Sequence, residues 1–172
     1  MNKTDFDSIF KEYRAPVFRL CLGYFGGHHQ LADDICQEIF IKIWQNWDRF
    51  KGQSKVSTWI YRIAVNTCIN VLRSAKYKRQ LKELDINAQI EKQDDSSTSE
   101  QVDEKENQLR SMYKCIKELE PKDRSIILLV LDQEPYENIA DIIGITENNL
   151  RVKIHRIKDK LSKCVNSWIL KI

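Results

Sequence analysis

YENIADIIGITENNLRVKIHRIKDKL, residues 136–161, carries the reading of the whole chain. Its first turns bring Ile139, Ala140, Ile142 and Ile143 to one side of a short helix. Gly144 then suits the left-handed position that stops a helix, and Thr146 suits the N-cap of the next. Leu150, Ile154, Ile157 and Leu161 fall within about 60° of one another at 100° per residue and would pack against the first helix. This is the pattern of a helix-turn-helix. On the opposite face, between about 100° and 240°, stand Arg151, His155, Asn148, Val152 and Arg156. Lys153, Lys158 and Lys160 flank them. Arginine suits guanine edges, asparagine adenine, an apolar group the thymine methyl and lysine the phosphates, so the face is composed for a major groove. The same residues also fit a solvated basic helix in a protein-binding pair.

The rest of the chain is of the same kind. Its 172 residues hold only 5 glycines and 3 prolines. Apolar residues recur at helical spacing throughout, which predicts an all-α protein of small domains. Helices are expected over about 4–25 (broken or kinked near Pro16), 30–47, 57–79, 101–119, 121–132, 136–143 and 147–170. Pro121 fits a first-turn position. Residues 1–84 hold 14 Lys/Arg against 8 Asp/Glu, a net +6. Residues 85–106 hold 2 against 8, a net −6, and residues 107–172 hold 12 against 9, a net +3. The middle segment lacks aromatics and any sustained apolar period and reads as a flexible acidic linker. The expected architecture is therefore two small helical domains, 1–84 and 107–172, joined by the linker 85–106.

Several function classes fall away. No run of 18 apolar residues predicts a membrane span, and the start has no signal-peptide pattern. Five scattered cysteines without CxxC spacing are expected to be reduced, buried thiols in a cytoplasmic protein. Neither a phosphate-binding loop, a metal-ligand cluster nor a Ser/His/Asp arrangement is present, and His28–His29 reads as a loop feature. No enzyme activity, cofactor or metal is expected.

Two faces in the first half remain to be placed. On the helix near residues 30–47, Leu31, Ile35, Ile39 and Ile43 form a core stripe, while Asp34, Gln37, Glu38, Ile41 and Gln45 share another side. An isoleucine among carboxylates and amides suggests a partner patch, though a solvated acidic face fits too. On the next helix, Ile60, Ala64, Cys68, Val71 and Leu72 define the core side. Trp59, Arg62, Asn66, Asn70 and Arg73 gather between about 200° and 280° from Ile60. Aromatics stack bases while Asn and Arg hydrogen-bond their edges, so this face suits single-stranded nucleic acid. Packing of Trp59 on a neighbouring helix is the other reading. The basic tail adds Lys76, Lys78 and Arg79.

Taken together, "LADDICQEIFIKIW", "FKGQSKVSTWIYRIAVNTCIN" and "LEPKDRSIILLVLDQEPYENIADIIGITENNLRVKIHRIKDKL" resemble the bacterial RNA polymerase sigma factors of the sigma-70 family, in particular the two-domain extracytoplasmic-function (ECF) group. The resemblance runs from about residue 6 to 161 in the family's order, the linker excepted. It implies that Asp34, Gln37, Glu38, Ile41 and Trp44 bind the β′ clamp helices of core polymerase. It implies that Trp59, Arg62, Asn66, Asn70 and Arg73 meet the melted non-template strand of the −10 element, with Asn66 holding a flipped base. It places Asn148, Arg151, Val152, Lys153, His155, Arg156 and Lys158 on the −35 element, with the second domain also touching the β flap. An anti-sigma factor is a further implied partner. "TENN" departs from the small-residue run common before the basic part of the recognition helix, so the −35 sequence is not inferred; "LEPKDR" replaces the commoner Leu-Pro start, which shifts a helix cap. The rival expectation is a stand-alone helix-turn-helix regulator of duplex DNA, which leaves the Trp59–Asn66–Asn70 face without a role.

Overall fold

Apolar spacing of three and four residues yields helices throughout the computed structural model, which describes residues 3–50, 52–74 and 100–169. They are α1 (Lys3–Tyr24), α2 (His29–Asn46) with a 3₁₀ turn (Trp47–Arg49), α3 (Val56–Arg73), α4 (Glu100–Glu118), α5 (Pro121–Leu131), α6 (Tyr136–Ile143) and α7 (Glu147–Ile169). The described residues contain no strand, and the all-α expectation holds.

Three boundaries differ from expectation. Helix α1 runs through Pro16 without interruption, because Val17, Leu20 and Cys21 just beyond it are buried and hold the next turns in place. Helix α3 ends at Arg73, since Ser74 turns to extended geometry (φ −70°, ψ 137°). The expected continuation to Arg79, with Lys76 and Lys78, lies outside the described residues, as does most of the acidic linker. Helix α4 already starts at Glu100, inside the segment assigned to the linker.

The helix-turn-helix forms as its local chemistry dictates. Gly144 takes φ 76° at the end of α6. The Asn149 amide donates to Thr146 Oγ1 at 3.3 Å, capping α7. Ile139, Ala140 and Ile142 are buried against Leu150, Ile154 and Ile157.

The two helical groups do not keep separate cores. One continuous apolar cluster takes Val17, Leu20 and Phe25 from α1 and its end, Ile39 and Ile60 from α2 and α3, and Ile126, Leu129, Ile139 and Ile157 from the second half. Polar ties cross the same boundary. Asp132 accepts hydrogen bonds from Arg19 Nε (2.9 Å) and from the Tyr61 hydroxyl (2.6 Å). The Tyr24 hydroxyl pairs with Ser125. Lys55 Nζ donates to Asn138 Oδ1 at 3.1 Å. Helix α3 is consequently buried over a wider arc than its own stripe, with Thr58 and Val65 covered as well.

Arg124, in the segment "LEPKDR", rivets this boundary. Its guanidinium is buried, donating to the carbonyls of Tyr24 (3.0 Å), Leu119 (3.1 Å) and Lys117. Burial lowers its pKa from the usual arginine value, yet three carbonyl partners and the Tyr24 ring face 5.9 Å away repay the charge. Arg124→Met strands those carbonyls. Chemical denaturation is expected to show a loss of about 2–4 kcal/mol; an unchanged midpoint would remove Arg124 from the boundary.

One expectation about cysteine fails. Cys115 of α4 and Cys164 of α7 are joined in a disulfide, with Cα atoms 5.8 Å apart. The pair is 49 residues apart in sequence, so no local spacing announces it. Cys21, Cys36 and Cys68 are free and buried, as expected.

Candidate nucleic-acid interface

The exposed side of α3 meets the end of α2 in a groove of about 390 Å³. Trp59, Asn66 and Asn70 line it from α3, one turn or so apart, together with Ile63 and Thr67. Lys42, Asn46 and Arg49 close it from the other side. Trp59 is partly buried: it meets Trp47 edge-on (ring centroids 5.7 Å, 80°) and Phe50 at 5.3 Å. The choice between packing and presenting an aromatic is therefore not exclusive, since the packed ring forms a fixed wall of the groove. Asn66 and Asn70 are exposed.

The α2 side is held by short polar links. Lys42 Nζ lies 2.6 Å from Glu38 and donates to Thr67 Oγ1 at 3.4 Å. Asn46 Nδ2 donates to the Lys42 carbonyl at 2.8 Å, and Arg49 reaches Asn46 Oδ1 at 3.3 Å. A flat aromatic wall, several amides and two cations suit a planar, polar-edged ligand on an anionic backbone.

Lys42, Asn46 and Arg49 escaped the sequence reading. Lys42 and Asn46 fall at about 20° and 60° from Leu31, on the core side of α2. Polar residues on a core stripe near a helix end were the available signal, because there the stripe runs past the core and into the groove. Two expected members are not in the groove lining. Arg62 leaves its helix toward α6 and donates twice to the Asp141 carbonyl, at 2.7 and 3.1 Å. Arg73 is exposed in the last turn of α3.

Helix α2 presents a second surface. Ile41 and Trp44 are 56% and 49% exposed, far above ordinary apolar burial. The Trp44 ring stands edge-on to Phe6 at 4.9 Å, which fixes its orientation. Asp34, Gln37 and Glu38 rim the patch, and Gln37 donates to Asp33 at 2.8 Å.

On α7, Asn148, Arg151, Val152, His155, Arg156 and Lys158 all face solvent, Val152 at 51%. Arg151 is steadied by Glu147 (3.4 Å) and by the Tyr136 ring beneath it (5.2 Å). His155 lies 3.6 Å from Asp159. Lys153 is turned aside to Asp123 at 3.3 Å, so it is partly covered.

A helix-turn-helix with an exposed basic face, packed on a helical unit with a base-sized groove, defines a DNA-binding protein of transcription. The family described as Sigma-70 region 2 matches residues 9–77, and that described as Sigma-70, region 4 matches residues 109–161. ECF RNA polymerase sigma factor SigW of Bacillus subtilis is 30% identical over 166 residues, covering 92% of this chain and 87% of that protein. The ECF RNA polymerase sigma-E factor of Escherichia coli is 32% identical over 144 residues, covering 79% and 74%. The fold resembles CnrH in its complex with the cytosolic domain of CnrY (TM-score 0.67, 15% identity, 96% and 90% covered). It also resembles the sigma factor RpoE of Bartonella quintana in complex with the anti-sigma factor NepR (TM-score 0.62, 17% identity, 94% and 97% covered). The chain belongs to the sigma-70 family of RNA polymerase sigma factors, and within it to the ECF group. The stand-alone regulator is set aside, because the first half is itself a sigma region.

Proposed function

We propose that this sigma factor divides initiation among three of its surfaces, within the division 1–84, 85–106 and 107–172. Asp34, Gln37, Glu38, Ile41 and Trp44 dock core RNA polymerase. The α2–α3 groove, with Trp59, Asn66 and Asn70, captures the melted non-template strand of the −10 element; Arg62 and Arg73 meet its backbone. Asn148, Arg151, Val152, Lys153, His155, Arg156 and Lys158 hold the −35 duplex. The observation that carries this reading is the groove itself, whose aromatic wall and paired asparagines suit an unstacked base.

The mechanism is binding energy applied to strand opening. Extruding a base costs a few kcal/mol, and contacts available only to the single strand offset that cost. Arg62 must first leave the Asp141 carbonyl, by a turn of its exposed side chain or by separation of α6 from α3, before that arginine meets DNA. The chain contributes recognition and no bond-making, which stays with the polymerase in the cytoplasm. No helix among the described residues is long and apolar enough to cross a membrane. Two structural neighbours are described in complexes, with an anti-sigma factor and with a cytosolic domain. An anti-sigma factor that holds the packed arrangement would keep Arg62 occupied.

Run-off transcription with purified core polymerase tests the reading; failure to bind core or to initiate from any promoter in a genomic pool rejects it. Ile41→Glu is expected to weaken core binding by about 30-fold or more, the range of an interface hot spot. Its side chain is exposed, so circular dichroism and melting should not change. Undiminished affinity would move the polymerase contact elsewhere.

A further inference from the structure

We propose that Cys115 and Cys164 form a reversible thiol-oxidation site whose disulfide fastens the tail of α7 to α4. The first turns of α7 need no such fastening, since Leu150, Ile154 and Ile157 are 0–4% exposed. Beyond Ile157 the pattern changes. Leu161, Cys164 and Val165 are only partly buried, while Ser162, Lys163, Asn166 and Ser167 are exposed. Among the described side chains of this tail none is fully buried, and the covalent link to the buried Cys115 is its anchor.

The other cysteines are protected from the same chemistry. Cys21 and Cys68 are 0% exposed with sulfurs 3.9 Å apart, and Cys36 is 2% exposed. The Cys68 thiol and burial push the Cys21 thiol up, and burial raises Cys36 to about 12, so neither supplies a thiolate. Cys164, by contrast, meets solvent. Lys114, Lys117, Lys160 and Lys163 stand within one turn of the pair along their helices; Glu118 lies 3.7 Å from the Cys164 sulfur and Asp123 pairs with Lys160 at 3.8 Å, which leaves a net excess of positive charge. That surplus attracts an anionic low-molecular-weight disulfide such as glutathione disulfide.

Reversibility rests on the sigma reading above. A chain that works with RNA polymerase operates among reduced thiols, where disulfides serve as transient or sensing bonds. The exchange balances without further reactants. The Cys164 thiolate attacks one sulfur of glutathione disulfide, forming a mixed disulfide and releasing one glutathione thiolate. Cys115, 1% exposed, is out of reach of glutathione itself but faces Cys164 with Cα atoms 5.8 Å apart, so its thiol, losing its proton to the departing glutathione thiolate, attacks the Cys164 sulfur and releases the second. Two protein thiols are oxidised, one glutathione disulfide becomes two glutathiones, and the two thiol protons pass to the departing thiolates. Excess reduced glutathione runs the steps backward.

Closing a loop across 49 residues constrains the unfolded chain, so the oxidised form melts higher, by roughly 10 °C. The test uses the full chain, incubated with glutathione disulfide or dithiothreitol, then denatured and alkylated. Three alkylated thiols after oxidation and five after reduction are expected, with four in both for Cys164→Ser. Five thiols after oxidation overturn the site, as do three that survive excess reduced glutathione. Wild-type melting should depend on redox state, and that of Cys115→Ser and Cys164→Ser should not; equal wild-type midpoints also overturn it. At a temperature between the two midpoints only the oxidised chain stays folded, so run-off transcription should be lost on reduction and kept on oxidation, and the same outcome in both states overturns the fastening of α7 by the disulfide. Thiol counts and melting need no polymerase, so a chain that passes them yet initiates at no temperature refutes the sigma surfaces and not the cysteine site.

Discussion

Replacing Asn66 by alanine is expected to cut run-off transcription from a fully duplex promoter by about 10- to 100-fold, the value of one good base contact. Core polymerase affinity should stay within about twofold, because Asn66 lies on α3 while Ile41 and Trp44 stand on the outward face of α2. Asn66 is exposed, so its truncation leaves no cavity in the core. Its amide faces the groove beside Asn70 and the Trp59 wall, where a flipped base gains the hydrogen bonds it loses in the duplex. A promoter opened beforehand by mismatches needs less help, and the deficit should shrink on it. Equal losses in transcription and in core affinity would remove Asn66 from strand capture.

Gly23→Leu should separate the two helical groups. A Cβ on Gly23 would lie 3.0 Å from Leu128 Cγ and nearer still to its methyls. Gly23 lies within α1, so the backbone accepts a side chain and the cost falls on the packing of α1 against α5. Overpacking of this kind costs about 1–3 kcal/mol, concentrated where the halves meet. Small-angle scattering should show a larger radius of gyration, and melting should divide into two transitions. Transcription should survive within a few-fold, because separation also releases Arg62 from the Asp141 carbonyl, as its proposed contact with DNA requires. A variant with the parent's radius and a single transition would show that Leu128 simply rotates away.

Local signals in the sequence were enough for the helix-turn-helix. Gly144 and Thr146 act on residues within five positions of themselves, and the helix between them and Tyr136 has the boundaries that spacing predicts. The groove was half legible. Trp59, Asn66 and Asn70 share a helix face by periodicity, whereas Lys42 and Asn46 come from a second helix on what looked like its core side. Contacts set by distant partners were not legible at all. Arg62 reads as a free basic residue until Asp141, 79 residues on, places a carbonyl in front of it. Arg124 reads as part of a helix start until Tyr24, 100 residues earlier, proves to be its partner. Composition argued against a disulfide, because the two cysteines sit at ordinary helical positions and only the packing of α4 on α7 joins them.

The shared core also bears on how the chain is born. Tyr24 is complete early in synthesis, but its partner Ser125 is 101 residues later. At about 5–20 residues per second the ribosome needs roughly 5–20 s to supply it. During that interval the apolar side of α1 that α5 will cover stands open to water, to chaperones and to proteases. The nascent first half is thus the species most exposed to aggregation, and slower elongation between codons 25 and 125 should lower the yield of folded protein more than slowing after codon 131.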